Sequence, residues 1–235
     1  MLKNASKTEK VVESIRNRII SGELIPGDKL PPLRELVSIY NASRSVINQA
    51  IGTLSAKGYL EVKPRQYIMV NDIWASGNLE IVNDVYFAPK SRYKSRAIRE
   101  MLKARKMAEM ASLGEITPDN IPNLSQLKII YAEEKKWLGQ KSADIGIIAD
   151  LDSKFHEEVV SLSNNYVLSL LYLAFKNIGD DLIRKFYFCV NETDCPINWH
   201  GQFIEALENK DIGNAKIIWL KLLSKGEEVI LQNID

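Results

Sequence analysis

The chain contains two histidines, and both fall at positions where a cation could be held. Asp152 and His156 stand four residues apart in "DLDSKFHEEVV". On a helix running from 144 to 163, Ile148, Asp152, Phe155, His156 and Val159 share one stripe, so an acid and an imidazole point the same way from an apolar face. That placement is costly unless both groups are satisfied. A carboxylate and a neutral imidazole at i, i+4 can clasp one divalent cation, and the donor set suits zinc, nickel or manganese as the cofactor. His200 falls on its own helix with Ile197, Ile204 and Leu207, again an inward face. Three readings stay open: a metal site of three protein ligands completed by water or an effector oxygen, a buried Asp152 to His156 hydrogen bond without metal, or polar residues with no special role. The same triad offers an enzymatic alternative through a metal-bound water, but neither a nucleophile or acid/base signature nor a Gly-rich phosphate loop accompanies it.

The elements that must position these residues are helices. After residue 92 the sequence has few β-branched alternations and predicts helices near 93–113, 118–139, 144–163, 166–189, 197–209 and 211–232. Thr117-Pro118 is expected to cap the second of these and Ser142 the third. The aromatic set Tyr172, Phe175, Phe186, Tyr187, Phe188 and Trp219 suits either the core of such a bundle or a ligand cage. Cys189 and Cys195 lack C-x-x-C spacing and read as reduced thiols.

At 235 residues the chain is long enough for two modest domains, and 46% hydrophobic with 26% charged residues excludes a disordered, collagenous or coiled-coil chain. No run is apolar enough for a membrane span or a signal peptide, so a cytoplasmic protein without a membrane partner is expected. The charge is uneven. Residues 1–75 carry eleven Lys/Arg against seven Asp/Glu, while 76–235 carry twenty against twenty-three. A basic module on a slightly acidic body is what a phosphate-binding end produces.

That module has its own pattern. Val11, Val12, Ile15, Ile19 and Ile20 recur at helical spacing between a cap at Ser6 or Thr8 and Gly22. Pro31 and Pro32 suit the start of a second helix with Leu33, Leu36 and Ile39 inward. Ser43 can cap a third helix, ended at Gly58, and two alternating runs, Tyr59 to Lys63 and Tyr67 to Asn71, read as a hairpin. Three helices and a hairpin make a winged helix-turn-helix.

The stretch "PGDKLPPLRELVSIYNASRSVINQAIGTLSAKGYLEVKPRQYIMV" resembles the GntR superfamily of bacterial transcription regulators along its full length. The resemblance implies DNA contacts from Arg34 at the start of the second helix, from Ser43, Arg44 and Ser45 opening the recognition helix, and from a wing tip holding Lys63 and Arg65. Recognition-helix N-termini present side chains to base edges and hydroxyls to phosphates, so the placement is physically sound. Two positions depart from the usual pattern: Asn48 replaces a frequent Arg, and Tyr67 a frequent Gly. Asn reads adenine rather than guanine, so Asn48 implies a changed half-site.

The segments "MLKARKMAEMA", "DLDSKFHEEVVSLSNNYVLSLL" and "NWHGQFIEALENKDIGNAKIIWLKLL" resemble the C-terminal ligand-binding domain of the fatty-acid-responsive (FadR/FCD-like) branch. Many relatives hold a divalent metal there through an Asp, a His four residues later and two further His, beside a small carboxylate; others lack the metal and take acyl-coenzyme A thioesters. The resemblance aligns Asp152, His156 and His200 with ligands, puts Leu222 where the last His belongs, and turns Arg105 toward the effector. A surface ion pair of Arg105 with Glu109 is the alternative. "VNDIWASGNL" and "LIRKFYF" look more like the thioester group. The expectation is a mainly α chain: a winged helix-turn-helix (1–72), a linker (73–92), and an all-helical effector and dimerisation bundle (93–235). The implied protein is a homodimeric, effector-responsive regulator of a double-stranded DNA operator, acting as a repressor; a sensory protein without operator binding is the other alternative.

Overall fold

The computed structural model describes residues 5–138, 144–189 and 196–233. Ser142 and Cys195 lie outside the described residues. The chain divides into two compact units, Met1–Ala97 and Ile98–Asp235.

The first unit opens with α1, Lys7–Ser21. Ser6 caps it reciprocally: its hydroxyl accepts from Glu9 N–H at 3.2 Å and its own N–H donates to the Glu9 carboxylate at 2.6 Å. Val11, Ile15, Ile19 and Ile20 are buried, and Gly22 ends the helix at φ 85°. Helix α2, Leu33–Ile39, begins directly after Pro32. Helix α3, Arg44–Ala56, is capped by Ser43, which accepts from Val46 N–H, and buries Ile47, Ala50, Ile51 and Leu54. Gly58 is required twice over: its φ is 87°, and a Cβ would stand 2.2 Å from the Ser76 carbonyl. Strands β1, Leu60–Lys63, and β2, Tyr67–Val70, pair antiparallel from Leu60↔Val70 to Lys63↔Tyr67, with Lys29 bridging to Met69.

The stretch 73–92, expected to be a linker, is instead structured and belongs to this unit. It forms α4, Ile73–Ser76, and α5, Glu80–Phe87, whose Ile73, Ile81 and Val85 enter the same apolar core as Ile15 and Leu54. Asp84 accepts from Arg16 Nη1 at 3.0 Å, Tyr59 OH at 3.0 Å and Lys57 Nζ at 3.3 Å, fastening α5 to α1 and to the segment between α3 and β1. The boundary falls inside α6, Lys94–Gly114, between Ala97 and Ile98.

The second unit contains the rest of α6, then α7 (Ser125–Leu138), α8 (Ile145–Ser161), α9 (Tyr166–Ala174), α10 (Lys176–Cys189), α11 (Ile197–Glu208) and α12 (Ile212–Gln232). Phe155, Phe203 and Trp219 form its centre with Leu127, Val159 and Leu207. Helix α7 does not start at Pro118. The Asn120 side chain accepts from both the N–H and the hydroxyl of Thr117, closing a local turn, and the helix begins at Ser125, whose N–H donates to Asn123 Oδ1. The single helix expected over 166–189 is two, broken at Phe175. Asp144, through a bond from Gly146 N–H, caps α8. No described helix is long and apolar enough to cross a membrane.

Candidate functional site

Each unit presents one candidate site. In the first, α3 buries its apolar face and leaves Arg44, Ser45 and Asn48 exposed together with its cap Ser43. Arg34, the second residue of α2, is also exposed, as are Lys63 and Arg65. Gln66 N–H donates to the Lys63 carbonyl at 3.0 Å and Arg65 has φ 63°, so Lys63 to Gln66 form a type II turn with Pro64 and Arg65 at its centre. Glycine is the residue that turn favours at the Arg65 position. Tyr67, where relatives often have Gly, carries the ammonium groups of Lys29 and Lys63 over its ring, at 5.4 and 5.2 Å from the centroid. Lys29 carries no sequence signal of a wing residue; the β-bridge to Met69 brings it there.

In the second unit, α8 buries Ile148, Asp152, Phe155, His156 and Val159, the stripe expected from spacing. Helix α11 adds His200, and one ligand atom from each of Asp152, His156 and His200 lies within 4.8 Å of the others. His156 Nε2 is 3.4 Å from Asp152 Oδ1, and Asp152 Oδ2 accepts from Tyr187 OH at 2.7 Å. The opposite ring nitrogens are held by carboxylates. His156 Nδ1 stands 2.7 Å from Glu109, and His200 Nδ1 3.0 Å from Glu134. Glu109 also accepts from Arg105 Nε at 2.7 Å and Trp219 Nε1 at 3.0 Å. His200 stacks face to face on Phe155, ring centroids 3.9 Å apart, and its Nε2 is buried without a hydrogen-bond partner.

Burial and charge act against each other here. Burial works against the Arg105 charge, but Glu109 more than offsets it and the guanidinium pKa is raised. Burial would raise Glu109, yet His156 and Arg105 hold it below the usual carboxylate range. His156 is lowered, chiefly by burial with Arg105 nearby, although Glu109 pulls the other way. Burial also opposes charge on His200, but Glu134 reverses the outcome and raises it. Three carboxyl groups thus share one interior with one guanidinium. Either a proton on His200 or a divalent cation bound at unprotonated Nε2 atoms relieves that surplus of acid, and the second also satisfies His200 Nε2.

The Arg105 to Glu109 pair is present, but it is an interior pair. Glu109 and Glu134 are both fully buried and both were missed by sequence reasoning. A cleft beside the cluster is lined by Arg105, Asp152, His156, Phe186 and Leu222. Leu222, on α12, therefore borders the cluster from the position where the resemblance expects a fourth ligand. Of the aromatic set, Trp219 is core, Tyr187 holds Asp152, and Phe188 is exposed.

Residues 7–70 match the profile of the bacterial regulatory proteins, gntR family. The chain is 24% identical over 243 residues to the Uxu operon transcriptional regulator of Escherichia coli K12, covering 97% of this chain and 88% of that protein. It is 28% identical over 181 residues to the HTH-type transcriptional regulator Mce2R of Mycobacterium tuberculosis, covering 73% and 69%. The Galactonate operon transcriptional repressor of E. coli K12 is 22% identical over 211 residues, covering 88% and 89%. A similar solved fold is that of Lar, which controls the expression of the Listeria monocytogenes agr system, with a TM-score of 0.59 at 16% identity over 99% of this chain and 100% of that one. Residues 7–70 thus carry a gntR-type helix-turn-helix and wing, followed by a helical domain, and the relatives this chain resembles over most of its length are named as transcriptional regulators.

Proposed function

We propose that the chain is an effector-responsive, dimeric repressor whose heads bind two half-sites of a DNA operator and whose helical unit binds a small carboxylate or thioester, beside a divalent metal held by Asp152, His156 and His200. The observation that carries the sensing half is His200 Nε2, buried and unpartnered on a residue grouped with Asp152 and His156, while Glu134 occupies the opposite nitrogen. Nitrogen held this way is oriented and made more basic for a metal. The residues fit zinc, nickel or manganese, and the bound ion would supply a Lewis-acidic centre for an effector oxygen. Arg105, kept charged by Glu109, lines the adjacent cleft and would pair with an effector carboxylate. A relative named for the galactonate operon, a carboxylate sugar, supports that class of effector.

In the head, Arg44 and Asn48 would read base edges, while Arg34, Ser43, Ser45, Lys63 and Arg65 would contact the backbone and flanking groove. An effector alters operator affinity only if it binds one arrangement of the dimer better than another. The test is an operator selected from random duplexes, titrated with protein that has been metal-loaded or stripped and exposed to candidate carboxylates and thioesters. Binding unmoved by every combination would leave the head's role standing and remove the sensing role.

A further inference from the structure

The hairpin of the first unit has two faces, and only one of them belongs to the core. Leu60 and Val70, paired across β1 and β2, are buried, and Ile68 packs against the same cluster. Side chains alternate along a strand and match across it, so the outward face carries the pairs Lys63↔Tyr67 and Glu61↔Met69. The other edge of β2 is taken by the segment before α2. Leu30 N–H donates to the Ile68 carbonyl and Val70 N–H to the Asp28 carbonyl, both at 2.9 Å, so Lys29 lies opposite Met69 on that outward face. Lys29 and Lys63 thus flank Tyr67 from the two sides of β2, each with its ammonium group over the ring. Both lysines are exposed, while the tyrosine is half-buried. Two cations gathered on one ring repel each other. Glu61, 3.5 Å from Lys63, answers one of them. Among the described residues no carboxylate pairs with Lys29. The face therefore holds an excess of positive charge in a fixed place.

We infer that this outward face binds the phosphates of duplex DNA, with Lys29 and Lys63 contacting the backbone and Tyr67 positioning them. The inference rests on the DNA reading above and adds Lys29 and Tyr67 to the residues that reading uses. A phosphate group is the partner that the chemistry fits, because an anion accepting from both ammonium groups removes their repulsion, and neutralised phosphates release counterions. A duplex brings phosphates to this place: Lys63 opens the turn that holds Arg65, and Lys29 lies five residues before Arg34. The ring acts through order. A lysine side chain has much rotamer freedom, and one already resting on an aromatic face loses less of it when it binds. Such contacts carry no sequence information directly, so they add affinity for any duplex alike. Glu61 works against them, repelling phosphate and competing for Lys63, and so limits adhesion to DNA outside the operator.

The test is fluorescence anisotropy of the full chain on a selected operator and on a scrambled duplex, at several salt concentrations. Lys29→Gln should weaken both duplexes alike, about 3- to 10-fold, and reduce the slope of log affinity against log salt by about one. Tyr67→Phe keeps the ring and should bind as wild type does. Tyr67→Ala should weaken binding several-fold, and in that background Lys29→Gln should cost less than it does in wild type, the mark of one residue acting through another. Glu61→Gln should tighten both duplexes by up to about 5-fold. Lys29 is exposed, so Lys29→Gln should unfold at the wild-type midpoint, and it decides the matter even where Tyr67→Ala misfolds. A Lys29→Gln variant with wild-type affinity and slope overturns the inference. A Tyr67→Phe variant as weak as Tyr67→Ala overturns the part given to the ring. Arg44→Ala keeps this apart from the DNA reading: operator binding that depends on Arg44 but not on Lys29 removes only the outward face, whereas a wild-type chain that binds neither duplex removes the DNA reading and this face with it.

Discussion

Glu109 and His156, 47 residues apart in sequence, meet at 2.7 Å inside the helical unit, and the carboxylate that fixes the imidazole is itself held by Arg105 and Trp219. One acid on α6 therefore sets the ring of a candidate ligand on α8, the charge of a candidate effector contact, and the indole of α12. Removing it leaves a buried cation without its partner. Glu109→Ala should destabilise the unit by about 3–5 kcal/mol, read from denaturant unfolding. Glu109→Gln should recover much of that stability but lower metal affinity about 10- to 100-fold, because the amide no longer supports the imidazole as a carboxylate does. Unchanged metal affinity in Glu109→Gln would falsify the supporting role.

The metal prediction is separable from the fold. Protein purified without an affinity tag should contain up to one zinc, nickel or manganese per chain, with His156→Ala or His200→Ala each abolishing it. Leu222→His should tighten binding, since Leu222 borders the cleft and an imidazole there would complete the protein shell. A chelator should lower the unfolding midpoint of wild type and leave the alanine variants unmoved. Metal content near zero after dialysis against all three ions would return the cluster to a purely hydrogen-bonded role.

In the head, Arg44→Ala should cost about 1–3 kcal/mol of operator binding and relax base preference, measured on specific and scrambled duplexes at one salt concentration. Arg65→Ala should weaken both duplexes alike and reduce the salt slope by about one. A mutant Arg44→Ala with full affinity and preference would mean that α3 is not the reading helix.

The wing carries a second test. Arg65 adopts φ 63°, a conformation that costs a non-glycine residue about 1–2 kcal/mol. Arg65→Gly should leave the head at least as stable as wild type while lowering DNA affinity as Arg65→Ala does. A more weakly folded glycine variant would show that the arginine side chain supports the hairpin, contrary to its exposure.

Asp84 provides a prediction for the junction. With Arg16, Lys57 and Tyr59 converging on it, Asp84→Ala should destabilise the first unit by about 2 kcal/mol and loosen α5, read by hydrogen exchange of its amides.

Much of this was legible from local signals. Ser6, Gly22, Ser43 and Gly58 mark helix ends by chemistry that needs no distant partner, and all four do so in the structure. Asp152 and His156 were found because an i, i+4 pair on an apolar stripe is anomalous in itself. Glu109 and Glu134 left no such mark. An acid within a few residues of lysines on a helix reads as a solvated face, and these two instead meet His156 and His200, 47 and 66 residues further on. The 73–92 stretch failed for another reason: Ser76, Gly77 and Asn78 read as a turn, while the core that Ile73, Ile81 and Val85 enter is supplied by residues distant in sequence, such as Ile15 and Leu54. A truncation at residue 76 would thus expose α5's apolar side instead of freeing a linker.

Trp219 has one more consequence. Its indole N–H is bonded to Glu109, its ring lies 4.7 Å from His156 and 5.8 Å from His200 by centroids, and it is fully buried. Imidazolium quenches indole emission more strongly than neutral imidazole does. The unlabelled protein therefore carries its own fluorophore inside the cluster, and substitution of Trp219 alone identifies the part of the emission that reports on the charge state of the two rings.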